Sequence, residues 1–105
     1  MVVKFDKEYL EELYLKGQCS DKKHRFQPQV VRKYIRRVVT LQEAPSIESL
    51  FPLVSLNYEV LEGDKKGISS VRIDGQYRLE FVVSKEEGES VLTICNLLDI
   101  TNHYK

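Results

Sequence analysis

Two arginines flank a tight turn in Val71-Arg72-Ile73-Asp74-Gly75-Gln76-Tyr77-Arg78-Leu79-Glu80-Phe81, and Lys65 and Lys66 precede them in Gly63-Asp64-Lys65-Lys66-Gly67. Guanidinium forks match phosphate oxygens with paired, charge-assisted hydrogen bonds. The chain closes on Asp99-Ile100-Thr101-Asn102-His103-Tyr104-Lys105, which adds an imidazole and a phenol able to move protons. Cleavage of RNA by its own 2′-hydroxyl needs a base for that hydroxyl, a cationic group over the phosphate and an acid for the departing oxygen. Arg78, Lys65, His103 and Tyr104 have the chemistry for those posts, and Glu59 or Glu62 would share their surface. Each feature also has a plain reading. A His-Tyr pair near a chain end is commonly an exposed tail, and Gly-Asp-Lys-Lys-Gly by itself is a turn. No Ser/His/Asp set, phosphate-binding loop, dinucleotide fingerprint or metal motif is present.

The hairpin register decides where the arginines point, because a slip of one residue moves a whole strand's side chains to the other face. A two-residue Asp74-Gly75 turn would set Val71 against Arg78 and spoil the apolar face. A three-residue loop, Asp74-Gly75-Gln76 with Gly75 or a neighbour at positive φ, pairs Ile73 with Tyr77, Arg72 with Arg78 and Val71 with Leu79. That register places the two guanidinium groups side by side on the face away from the core. Directly opposed like charges are destabilising unless offset; Glu80, opposite Ser70, is one candidate and a bound phosphate another. With neither, the arginines are simply solvated.

Composition narrows the class. A chain of 105 residues with 42% apolar content is expected to form one domain spanning 1–105, with a core that needs no staples. No apolar run is long enough for a membrane span, and Met1-Val2-Val3-Lys4-Phe5-Asp6 lacks the long apolar stretch of a signal peptide, so a cytoplasmic protein with no membrane partner is expected. Cys19 and Cys95 are far apart and the histidines lack a helical i, i+4 partner, so neither a disulfide, a metal nor a cofactor is expected. The formal net charge is zero, yet the charge is segregated. Lys22, Lys23, Arg25, Arg32, Lys33, Arg36 and Arg37 follow one another without an intervening acid, while acids gather at Glu8 to Glu12 and Glu86 to Glu89. Local patches steer ligands more than the sum does.

The elements that must hold these groups follow from periodicity. Val2 to Phe5 reads as a short strand. Asp6 or Lys7 opens a helix in which Phe5, Tyr9, Leu10, Leu13 and Tyr14 recur at helical spacing, and Gly17 ends it. Pro28 suits the first turn of a second helix whose apolar stripe is Val30, Val31, Tyr34, Ile35, Val38 and Leu41, with Arg32, Lys33, Arg36 and Arg37 beside it. That basic face is either a solvated surface or a contact for phosphate or a partner. Strands are expected over about 57–61, 68–73, 77–83 and 90–96. The order makes an α+β domain: an N-terminal strand and two helices packed on one face of an antiparallel three- to four-stranded sheet, its other face partly open.

The stretch Leu61 to Gly67, the hairpin Ser69 to Phe81 and the segment Asp99 to Tyr104 together resemble the RelE/ParE superfamily of type II toxins, and within it the HigB-type killer proteins. The resemblance covers most of the chain in length and element order, and the hairpin is its most specific part. It implies a RelE-like fold, a cognate HigA-like antitoxin with a helix-turn-helix domain, and a ribosome-dependent endonuclease that cuts mRNA at the decoding site and stops translation. On that resemblance Arg78 is the hairpin arginine at the scissile phosphate, Lys65 and Lys66 are the basic residues after Gly-Asp, and His103 with Tyr104 supplies the C-terminal proton carriers. Arg72, Arg32, Lys33, Arg36 and Arg37 are then candidates to contact RNA. Glu59 stands where several HigB proteins have histidine. A ParE-like member that binds DNA gyrase and cuts nothing, or a degenerate toxin that only binds its antitoxin, has the same fold expectation.

Overall fold

The computed structural model describes residues 1–102; His103 and Tyr104 lie outside the described residues. A strand Val2–Phe5 (β1) leads into helix Glu8–Lys16 (α1), a polar connector, helix Pro28–Glu43 (α2), a stretch of short 3-10 turns, and strands Glu59–Val60 (β2), Ser69–Arg72 (β3), Tyr77–Glu87 (β4) and Val91–Asn102 (β5). Local chemistry sets the helix ends. Glu8 and Glu11 sit in the first turn of α1 and Lys16 in its last, favourable to the helix dipole, and Gly17 closes it at φ 75° with its N–H on the Leu13 carbonyl. Pro28 occupies the first turn of α2, where its missing N–H costs nothing. At the other end of α2 the Met1 amino group donates to the carbonyls of Leu41, Gln42 and Ala44 at 2.7 to 3.2 Å, satisfying acceptors that a helix terminus leaves open.

The helices pack on the sheet through one apolar cluster. Leu10 and Leu13 of α1 and Tyr34, Val38 and Leu41 of α2 meet Val71, Leu79, Phe81, Cys95 and Leu97 of the strands and Ile73 just beyond β3, all essentially inaccessible. The Tyr34 hydroxyl, buried with them, donates to the Leu10 carbonyl at 2.7 Å and ties the helices together. Burial pushes the Cys95 thiol up to about 11, so it is an inert core group; Cys95 and Cys19 are both free.

The sheet is wider than the local pattern suggests. It has five strands in the order β1-β5-β4-β3-β2, and β1 joins in parallel, with Val2 opposite Ile94 and Phe5 opposite Leu97; the other pairings are antiparallel. A parallel partner at the far end of the chain leaves no local signature. β5 also runs to Asn102, so Asp99 to Asn102 form a paired strand opposite Tyr77 to Glu80 rather than a tail. The register skips Leu98 between Leu97 and Asp99, a bulge that re-aims the strand next to Glu80.

The hairpin register is the expected one: Arg72 faces Arg78, Val71 faces Leu79, and the Ile73 N–H donates to Tyr77 at 2.9 Å. Its turn is made differently. Positive φ occurs at Asn57, Gly17, Gly63 and Gly67 and not within 74–76. Instead the Asp74 carboxylate accepts from the N–H groups of Gln76 and Tyr77, each at 2.8 Å, an Asx-type turn that needs no left-handed residue. Asp74→Ala is expected to cost about 1–2 kcal/mol by removing both bonds, visible as a lowered Tm, whereas Gly75→Ala, whose added methyl would sit 3.6 Å from the Arg72 Nη2, is expected to shift it little.

Candidate active site

On the sheet face away from the helix core, two rows of side chains run side by side. The first crosses the strands through Glu59, Ser70 and Glu80, each opposite the next, and the second through Arg72, Arg78 and Thr101; Asp99, opposite Glu80 in register but beside the bulge, turns its carboxylate to Lys7 and Tyr9 at the start of α1. A row rich in carboxylates thus lies against a row rich in guanidinium groups. Strand alternation dictates this, because Ser70 and Arg72, and Arg78 and Glu80, are two residues apart and share a face.

Arg78 is not the solvated arginine that its place on the outer face suggests. It is 5% exposed. Its Nε donates to the Ser70 hydroxyl at 2.6 Å, its Nη2 to the carbonyls of Asn57 at 2.7 Å and Ser70 at 3.2 Å, and Nη2 lies 3.3 Å from the Glu59 carboxylate. Burial lowers the Arg78 pKa from its ordinary value, Glu59 opposes that shift, and Arg72 adds to it; the group stays cationic at neutral pH. Two features of the covering loop make the pocket. Asn57 adopts φ 43°, a left-handed conformation that asparagine tolerates, and it is the carbonyl of this residue that Arg78 meets. β2 then lays Glu59 across from Ser70.

Lys65 arrives from the turn between β2 and β3. Gly63 at φ 69° and Gly67 at φ 87° bracket Asp64-Lys65-Lys66 and let the chain double back, with Leu61 and Ile68 closing the neck at 2.8 Å. The Lys65 ammonium sits 3.1 and 2.9 Å from the two oxygens of Glu80, whose side chain is only 9% exposed, and the Thr101 hydroxyl donates to Glu80 at 3.2 Å. Glu80 therefore pairs with Lys65, and Arg78 has Glu59 as its contact carboxylate with Glu80 adding negative charge from further off. Lys66 is exposed beside them.

Arg72 remains exposed and turns to the edge, where its Nε donates to the Asp74 carbonyl at 3.1 Å. There it meets α2. Arg37 donates through Nε to the Arg72 carbonyl at 2.7 Å, and Lys33, Arg36, Arg37 and Arg72 line a depression of about 300 Å³ together with Ser55. The Arg37 pKa is lowered by burial and then by Arg36 and Arg72, as expected where cations crowd. Arg32 is exposed elsewhere on the same helix and does not line this depression.

The structure thus brings Arg78 and Lys65 into one polar site and Arg72 into a basic edge with three of the helix cations. Asn57, Ser70, Glu80 and Thr101 complete the site and carry no motif. Ser70 and Glu80 were legible only through the register that sets them opposite each other, and Asn57 only as a residue type that tolerates positive φ.

The fold is that of a toxin class. The chain matches the family model for the RelE-like toxin of the type II toxin-antitoxin system HigB over residues 3–95. It is 34% identical over 82 residues to Toxin HigB-1 of Vibrio cholerae serotype O1, spanning 77% of this chain and 82% of that relative. Among solved structures, a YoeB/ParE toxin from Agrobacterium tumefaciens superposes with a TM-score of 0.61 at 18% identity over 99% of this chain and 100% of that one. A mutant of YafQ from E. coli does so with a TM-score of 0.52 at 12% identity over 96% and 91%. The chain belongs to the HigB-like family of RelE/ParE-type toxins, and type II membership implies an antitoxin partner. No helix among the described residues is long and apolar enough to cross a membrane.

Because Arg78 is built into the sheet, its removal has a structural cost that an arginine on an open face would not carry. Arg78→Ala leaves the buried Ser70 hydroxyl and carbonyl without their donor, and a loss of about 1–3 kcal/mol is expected. Urea titration measures it; Arg72→Ala, at an exposed site, should change stability by less than about 0.5 kcal/mol.

Proposed function

We propose that this toxin is a ribosome-dependent mRNA endonuclease of the cytoplasm, cutting by attack of the RNA's own 2′-hydroxyl without a metal ion. The carrying observation is the Glu59–Arg78 contact at 3.3 Å: a carboxylate and a fixed guanidinium sit together, one able to take a proton and the other to hold phosphate charge. In this reading Glu59, half exposed at the mouth of the site, accepts the 2′-hydroxyl proton. The oxygen then attacks phosphorus, and Arg78 stabilises the charge that builds on the phosphate oxygens. His103 or Tyr104 returns a proton to the departing 5′-oxygen, leaving a 2′,3′-cyclic phosphate and a 5′-hydroxyl. Lys65, Lys66 and Arg72 position the strand.

Preorganisation supports this assignment. Arg78 is held by Ser70 and Asn57 before any substrate arrives, so it reorganises little at the moment of reaction, the condition under which an electrostatic group contributes most. The basic edge of Lys33, Arg36, Arg37 and Arg72, with Arg32 further along α2, supplies an approach surface for ribosomal RNA. A zero net charge does not oppose this, because the cations share one end of the hairpin while Glu86, Glu87 and Glu89 stand at the far end of β4 and its turn.

The test is induction in bacteria, with mapping of transcript 5′ ends in ribosome-bound messages and of plasmid supercoiling. New in-frame cuts are expected. Growth arrest with intact messages and lost supercoiling would instead identify a gyrase-directed toxin, and no arrest a protein that only binds its antitoxin. Glu59→Gln should lower cleavage by on the order of a hundredfold or more, the worth of a positioned base, and Arg78→Lys should lower it strongly because Lys lacks the planar fork; circular dichroism checks that both remain folded. Lys33→Gln together with Arg36→Gln, which leaves the Arg37 bond to the hairpin intact, should weaken ribosome association and reduce the slope of log K against log salt by about 1.4 to 1.8, two phosphate contacts' worth.

A further inference from the structure

We propose that Glu80 is a positioning residue of this site: it holds the Lys65 ammonium over the sheet beside Arg78, so that the two cations meet one phosphate, and acts on cleavage chiefly through Lys65, with a smaller direct influence of its charge on Arg78. The inference rests on the nuclease reading above. Three observations carry it. Glu80 is a carboxylate 7% exposed on the outer face of a sheet, where an ordinary surface acid would be solvated; a buried acid is retained only when its oxygens are bonded. Those bonds run to Lys65 at 3.1 and 2.9 Å and to Thr101 at 3.2 Å, so both oxygens engage the lysine and one is further fixed by the neighbouring strand. Glu80 also shares its strand face with Arg78, two residues before it, and that arginine has its own carboxylate in Glu59.

The division of labour follows from exposure. The Lys65 side chain is 51% exposed and its carboxylate partner 9%. The lysine can therefore be reached by a phosphate while its stem and head are kept in place from below. A free four-carbon stem would otherwise lose rotamer entropy each time it engaged substrate. Glu80 itself lies under the ammonium and need not touch RNA. Its charge also neutralises Lys65 before substrate binds, so that tight binding of the uncut strand is not gained at the expense of the transition state.

Glu80→Gln preserves shape and removes the charge that orients Lys65. Three measurements separate a positioning role from a merely structural one. First, Lys65 should react with an amine-directed reagent several-fold more slowly in the wild-type protein than in Glu80→Gln, with Lys66 as the exposed reference in each sample. Second, single-turnover cleavage on the ribosome should fall by tenfold or more, while affinity for a message carrying a 2′-deoxy nucleotide at the cleaved position stays equal or tightens. Third, Glu80→Gln added to Lys65→Met should cause a much smaller further loss of rate than Glu80→Gln causes alone. Equal Lys65 labelling in folded wild type and variant, the same fold-loss on both lysine backgrounds, or weakened affinity at unchanged rate would each overturn the proposal. If Glu80→Gln does not fold, Glu80→Asp, which keeps the charge but draws it back by one methylene, enters the same comparisons with the same outcomes deciding. Absence of cleavage by the wild-type toxin would bring down the nuclease reading and this inference with it, whereas cleavage with additive losses would bring down this inference alone.

Discussion

The burial of the Arg78 guanidinium organises the outer half of this molecule. A cation taken from water needs its donors satisfied, and the chain meets that demand from separate segments: the Ser70 hydroxyl and carbonyl on β3, the Asn57 carbonyl at the end of a 3-10 turn, and the Glu59 carboxylate on β2. β2 has only two residues, too few to define a sheet edge by apolar packing. Its Glu59 side chain and the turn before it are drawn in by polar bonds to Arg78. The loop that closes the site and the residue proposed to bind phosphate are thus parts of one hydrogen-bonded unit.

Like charges opposed across strands explain why the remaining partners are where they are. Arg72 faces Arg78, and Glu80 faces Asp99, pairs that repel unless something intervenes. Glu59 answers Arg78 at 3.3 Å and Lys65 answers Glu80 at 2.9 Å, while Arg72 swings to the edge. Asp99 is met by Lys7 at 3.0 Å and by the hydroxyl of Tyr9, which also accepts the Ile100 N–H at 2.8 Å. The Tyr9 pKa is raised by burial and then by that bond to Asp99, and its ring stacks on His24 with centroids 3.6 Å apart. The bulge at Leu98 and the first turn of α1 are joined through this contact. The strand that leads toward His103 and Tyr104 is fixed at its base.

Much of this was legible in the sequence, for reasons particular residues make clear. Tyr9, Leu10 and Leu13, and Val30, Val31, Tyr34, Val38 and Leu41, carry helical spacing that tertiary packing only reinforces. Alternation of Val71, Leu79 and Phe81 fixed the hairpin register, and with it the opposition of Arg72 and Arg78. What escaped was nonlocal or polar. The parallel pairing of β1 with β5 joins the two ends of the sequence. The burial of Arg78 depends on a loop whose course hangs on one left-handed Asn57. The turn at Asp74 uses a side chain where the glycine beside it suggested a backbone solution. Glu80 read as a counter-charge to the arginines because the distance from Lys65 to that strand is set by the path of the Gly63–Lys65 turn, which composition does not specify.

In the proposed reaction Arg78 is a preformed, immobilised cation that meets substrate without giving up its scaffold. Nitrogen-resolved NMR of the Arg side-chain Nε–H groups tests it most directly, in the free toxin and with an RNA whose cleaved nucleotide lacks the 2′-hydroxyl. The Arg78 Nε–H, protected by Ser70, is expected to exchange slowly in the free protein and to shift on RNA binding while remaining protected. An Arg78 Nε–H that exchanges as fast as that of exposed Arg72, or that is unmoved when RNA binds, would contradict it.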